Sequence, residues 1–124
     1  MCWGVLGVVA AVACGRTADR PDLPDGFPPN TPAAFEDGEA VFDARCASCH
    51  GEFALGTDQG PPLVHPIYRR DHHADPAFLL AVRRGVRAHH WTYGDMPPVP
   101  EVTDEQLEAV VRYVRWLQRA AGIT

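Results

Sequence analysis

Cys46, Ala47, Ser48, Cys49 and His50 run consecutively, and two thiols separated by two residues and followed at once by an imidazole have few chemical uses. Each thiol can add to one vinyl group of a haem, and the imidazole then sits under the iron. A dithiol redox pair would want a strand, turn and helix around it, which this proline-rich chain does not offer. A structural zinc site needs four ligands, and there is no second Cys-x-x-Cys, although the pairs His72 His73 and His89 His90 could supply nitrogen. A plain disulfide between Cys46 and Cys49 is the remaining alternative. The expectation carried forward is haem c attachment, one haem for one motif. Met96 is the second residue with a use in such a site. It stands between Asp95 and Pro97 in a run holding Gly94, Pro98 and Pro100, and apart from Met1 it is the chain's sole methionine. A core filler seldom sits in such a loop, whereas a thioether bound to iron favours the ferrous state and raises the potential.

These groups must be positioned by the surrounding elements. Gly38, Val41, Phe42 and Arg45 recur at helical spacing, with Glu36, Asp37 and Glu39 crowding the first turn, so a helix from Phe35 delivers the chain into Cys46. Glycine inside that helix costs about 1 kcal/mol against alanine, which points to a close helix crossing at Gly38. After His50, the residues Gly51, Gly56, Gly60, Pro61 and Pro62 exclude regular structure, and such a loop can return a carbonyl to the second ring nitrogen of the histidine. Asp75 followed by Pro76 predicts a helix with Asp75 as N-cap, running to about Arg84, burying Phe78, Leu79 and Val82 and ending at Gly85. Thr103 and Gln106 form a capping-box pattern. Behind it, Leu107, Val110, Val111, Val114 and Leu117 predict a long amphipathic helix with Arg112, Arg115 and Arg119 facing outward.

The chain has 124 residues, room for one domain and one core, and its net charge of −5 opposes electrostatic binding of nucleic acid. All eleven basic residues are arginine. From Trp3 to Ala13 the residues are apolar or glycine, too short for a bilayer span but suited to an export signal, although no basic residue precedes Val5. The ending Ala11 Val12 Ala13 Cys14 resembles a bacterial lipobox, with Ala11 in place of the usual larger aliphatic residue, and makes Cys14 the expected lipid-bearing residue. The expected organisation is a signal at 1–13, a proline-rich tether at 14–34 and a folded domain at 35–124. This places the domain outside the cytoplasm, in the periplasm or on the outer surface, anchored to a membrane by lipid.

Taken together, the attachment motif, the loop Gly60 Pro61 Pro62 Leu63, the loop Gly94 Asp95 Met96 Pro97 Pro98 and the order of helices around them resemble class I cytochromes c. The resemblance implies a small all-α fold, three to four helices and loops wrapped around one covalent haem, with first and last helices crossing near Gly38 and Phe42. It implies thioether bonds at Cys46 and Cys49, axial ligation by His50 and Met96, a hydrogen bond from His50 to the Pro61 carbonyl, and Leu63 against the haem face. It further implies a monomeric single-electron carrier, not an enzyme, between redox protein partners in a respiratory or dehydrogenase-linked chain. The lysine ring around the haem edge of some family members has no counterpart. The run His89 His90 Trp91 also departs from the general pattern, and leaves a second reading, a haem enzyme or gas sensor with an openable distal site. Arg83, Arg84 and Arg87 on one side of the sequence, and Glu36, Asp37, Glu39, Asp43, Glu52 and Asp58 on the other, predict a dipolar domain.

Overall fold

The computed structural model describes residues 23–124. The apolar run, Cys14 and the first part of the tether lie outside the described residues. Four helices carry the fold: α1 (Glu36–Arg45), α2 (Ala47–His50), α3 (Asp75–Arg84) and α4 (Asp104–Ala120), with short 3-10 turns at Ala33–Phe35, Glu52–Ala54 and Pro66–Tyr68. Among the described residues the sole β pairing is one bridge between Val86 and Met96. No described helix is long and apolar enough to cross a membrane.

The architecture is built on the crossing of α1 and α4. A Cβ added at Gly38 would stand 2.2 Å from the Ala109 carbonyl oxygen and 2.8 Å from the Tyr113 Cβ, so only hydrogen fits between the two backbones. One turn further along α1, Phe42 is fully buried against Tyr113, their rings 5.6 Å apart. From α4 come Val110, Val114 and Leu117, which join Phe42, Phe53 and Ala54 in the main core. The start of α4 is fixed as its sequence predicts: Thr103 Oγ1 accepts from Gln106 N at 3.2 Å, and Gln106 Oε1 accepts from Thr103 N at 2.9 Å.

Three expectations are corrected. Arg115 does not face outward with Arg112 and Arg119; it is 2% exposed. Its guanidinium donates to Asp75 Oδ1 at 2.7 Å, to the carbonyls of Tyr68 and His73, and to Gln118 Oε1 at 2.7 Å, and it lies 4.6 Å over the Phe78 ring. A buried arginine is tolerable because its fan of donors meets this many acceptors. Asp75 is not the N-cap of α3: Ala74 holds that place, and Asp75 is inside the first turn with its carboxylate committed to Arg115 and, at 3.0 Å, to Arg70. Last, the proline-rich stretch is not all spacer. Leu23 and Phe27 pack on the core, with Phe27 edge-on to Phe53 at 6.3 Å, and Thr31 Oγ1 donates to Glu39 at 2.6 Å.

Candidate functional site

His50 owes its position to a kink. The helical ladder from α1 closes with Cys46 N donating to the Phe42 carbonyl at 2.7 Å, and the backbone then turns at Cys46 into the single helical turn α2, with His50 N donating to the Cys46 carbonyl at 2.9 Å. Gly51 leaves α2 at φ 75°, where a Cβ would sit 2.4 Å from the Gly56 carbonyl oxygen. The chain therefore doubles back at once, and Gly56 N donates to the His50 carbonyl at 2.6 Å. This tight return, held also by Thr57 Oγ1 donating to the Cys49 carbonyl at 2.6 Å, brings Pro61 beneath the buried imidazole. The Pro61 carbonyl lies 2.8 Å from His50 Nδ1. Since a carbonyl only accepts, Nδ1 carries the proton and Nε2 keeps its lone pair free. Burial lowers the His50 pKa, with the Pro61 bond acting in the opposite direction, so the ring favours the neutral form a metal ligand needs.

Met96 is held by different means. Val86 N donates to the Met96 carbonyl and Met96 N to the Val86 carbonyl, both at 2.9 Å, and a Cβ on Gly85 would meet that Met96 oxygen at 2.5 Å. Asp95 Oδ1 accepts from Ala88 N at 2.8 Å, and Val99 N donates to the Val82 carbonyl at 2.8 Å, so the methionine loop is laced to the end of α3 on both sides of Met96. The prolines that exclude regular structure are thus flanked by hydrogen bonds that fix the loop.

His50 and Met96 line the same cavity, of about 490 Å³, together with Cys46, Pro61 and Leu63. Its walls are otherwise mostly apolar: Phe42 from α1, Phe78 and Val82 from α3, and Val110 and Val114 from α4. Cys49 is exposed beside it. Burial, then the charge of Asp43 and the neighbouring Cys49, pushes the Cys46 thiol up to about 11. A dithiol redox pair needs the reverse, a thiol pKa lowered toward neutrality, so that use of Cys46 and Cys49 is disfavoured. Cys46 and Cys49 are also too few for a tetrahedral zinc site, and His50, its Nδ1 committed to the Pro61 carbonyl, lines the apolar cavity.

A family model described as Cytochrome c matches residues 35–118. The chain belongs to the cytochrome c family. Comparison with curated proteins and with solved structures finds no match. Members bind haem c covalently through Cys-x-x-Cys-His, and this cytochrome carries one such motif, at Cys46 to His50, and one covalently bound haem c. The residues present fit that group: a pocket in the usual size range for cofactors of roughly 300–1,000 Å³, an apolar lining that includes the thiol-bearing Cys46, with the exposed Cys49 on the next turn donating its N–H to the Cys46 carbonyl at 3.1 Å, and an imidazole held toward its neutral form with one nitrogen free. The helical fold agrees with the small all-α architecture of the family.

Two contributors to the pocket carried no signal in the sequence. Trp91 Nε1 donates to Tyr68 Oη at 3.0 Å, and both side chains line the cavity, pairing the turn before α3 with the methionine loop. Burial raises the Tyr68 pKa, offset by the Trp91 bond, so its hydroxyl stays protonated. His89 and His90 line the cavity mouth as well, but their rings pack with those of His72 and His73. The predicted arginine group is divided: Arg83 is paired with Asp104 at 2.5 Å and donates to the Val102 carbonyl at 2.6 Å, while Arg84 and Arg87 remain exposed.

Proposed function

We propose that this member of a family of haem-binding electron carriers carries single electrons between redox proteins outside the cytoplasm, that Cys46 and Cys49 would bind the haem as thioethers and His50 and Met96 would hold its iron, and that a lipid on Cys14 keeps a monomer at the membrane. The observation that supports this best is the convergence of His50 and Met96 on one apolar cavity, the first fixed by its bond to the Pro61 carbonyl and the second by its paired backbone bonds to Val86. The haem supplies, when bound, one-electron exchange between ferrous and ferric iron. The chain does the rest. His50 is kept neutral and oriented by the Pro61 carbonyl, and the thioether of Met96 favours the ferrous state. Leu63, Phe78 and Val82, each partly buried, give the cavity apolar walls that would shield a bound haem from water and so favour a higher potential. His50 and Met96 would together hold the iron from within the protein, and a substrate would then have to displace one of them. Support for the location comes from the apolar run 3–13 ahead of Cys14.

The test is ligand binding by the ferrous haem-loaded protein near neutral pH. Failure to bind carbon monoxide is expected; ready binding would replace the carrier by a protein with an open distal site. Acid-acetone should leave the haem on the wild type, held by two thioethers, and extract it only when both thiols are removed, in Cys46→Ala/Cys49→Ala. For the anchor, Cys14→Ser should move the protein from the membrane to the soluble fraction, and unchanged membrane association would remove the lipid from the proposal.

A further inference from the structure

Four histidines outside the ligand pair gather at the edge of the cavity. His72 and His73 lie in the turn that precedes α3, and His89 and His90 in the loop between α3 and Met96. Ring centroids are 5.3 Å apart for His72 and His90, 5.2 Å for His73 and His90, and 4.2 Å for His89 and His90. One ring nitrogen from each of His72, His73 and His90 falls within 4.8 Å of the other two. Two rings are already aimed by the backbone: His73 Nδ1 is 2.8 Å from the Ile67 carbonyl, and His89 Nδ1 is 2.9 Å from the Arg87 carbonyl. An N–H donated there leaves Nε2 with its lone pair, which is how metal-ligating histidines are usually held.

We propose that His72, His73 and His90 form a second metal site, for a divalent late transition ion of the zinc or copper kind, with His89 or water completing a four-coordinate shell. Imidazole donors suit those ions, whereas magnesium and calcium require oxygen, and the carboxylate of Asp71 on the same turn is engaged by Arg69 at 2.6 Å. Metal–nitrogen bonds of about 2.0–2.1 Å put the nitrogens of a tetrahedral set roughly 3.4 Å apart. His72 and His90 are exposed, so side-chain rotation alone can close the observed separation. The site differs from a structural Cys–His zinc centre, because the two cysteines belong to the haem motif. It also differs from the haem iron site in purpose. It joins the turn at 69–73 to the loop at 87–95, so a bound ion would cross-link the chain before α3 to the loop that leads into Met96.

The decisive measurement is a calorimetric titration of the haem-loaded protein with Zn²⁺ in a non-coordinating buffer, repeated with Cu²⁺ and read by electron paramagnetic resonance. One equivalent should bind, Cu²⁺ should show nitrogen hyperfine structure, and His72→Ala/His90→Ala should weaken Zn²⁺ binding by roughly 100-fold or more. No saturable one-to-one binding, or equal binding by the double variant, would overturn the site. Haem absorption reports whether the double variant is folded. If its bands are altered, His72→Ala decides instead: His72 does not line the cavity, at least about a tenfold loss is expected, and an unchanged affinity rejects the proposal.

Discussion

The thioether of Met96 and the hydrogen of Gly38 are the two smallest features on which the most depends. Met96→His should lower the midpoint potential, and Met96→Ala should open ferrous iron to carbon monoxide, both read on the haem-loaded protein. If His89→Ala produced those changes while Met96→Ala did not, the ligand assignment would move to the loop histidine. Gly38→Ala sets two effects against each other. Alanine gains about 1 kcal/mol in helix propensity, but its methyl would stand 2.2 Å from the Ala109 oxygen, and overpacking that shifts side chains and backbone costs about 1–3 kcal/mol, occasionally more. Here the clash is with backbone, which puts the cost at the upper end of that range, so a net loss of about 2 kcal/mol in a denaturant melt is expected. Asp43 offers a pH test. Although its surface is largely exposed, partial desolvation by its neighbours, then the charges of Glu39 and Glu52, raise its pKa, so its ionised form is less stable in the folded protein than in the unfolded chain. That cost is absent below the ordinary value of 3.8 and complete once pH exceeds the raised folded value. Asp43→Asn should therefore raise the melting temperature near neutral pH and lose that advantage as the pH falls toward 3.8. At this scale the sequence was most legible where chemistry is local: covalent attachment at Cys46 and Cys49 demands a fixed spacing. That the loop after His50 can return a carbonyl to the imidazole was legible from its glycines and prolines, but that Pro61 is the acceptor was legible only by resemblance, since a backbone carbonyl has no residue-type signature.

Helices α1 and α4 could be read from periodicity and capping, because their apolar stripes and the Thr103–Gln106 pair are properties of neighbouring positions. The arginine at the edge of the α4 stripe could not. Its partners are carbonyls of Tyr68 and His73 and the carboxylate of Asp75, brought together only by folding, and helical spacing says nothing of them. The same contact explains why Asp75 failed as an N-cap: an aspartate before proline fits either the cap or the first turn, and the pull of Arg115 decides. Arg115→Met should cost about 3–5 kcal/mol, the range for breaking a buried charge network. Arg115→Lys should recover little of it, because an ammonium cannot reproduce the planar fork of donors. Asp75→Asn should cost less, since the Asp75 side chain remains 36% exposed and water can replace part of the interaction. Thermal melts of the three variants, monitored at the haem bands, give the order directly.

Along the chain, the exposed acids Glu36, Asp37, Asp43 and Glu52 flank the haem motif, whereas the exposed Arg84, which lines the cavity, and Arg87 stand at the end of α3 and in the loop after it. Charges of this kind act mostly on the rate at which redox partners meet. Arg84→Glu/Arg87→Glu should slow electron transfer to an acidic acceptor and flatten its ionic-strength dependence, without altering the haem spectrum. Stopped-flow kinetics should use a form lacking residues 1–22, which preserves the packing of Leu23 and Phe27; identical salt profiles would mean that docking rests on apolar contact. Arg83, spent on Asp104, serves as an internal control. The crossing of α1 and α4 at Gly38 also acts in time. A chain is made from its N-terminus, so Cys46, Cys49 and His50 emerge while Ala109, Tyr113 and Val114 are still to come. For that interval the cavity lacks the wall that Val110 and Val114 supply. When α4 arrives and its Ala109 carbonyl settles against Gly38, that wall closes, so the last helix sets the moment at which the pocket is complete.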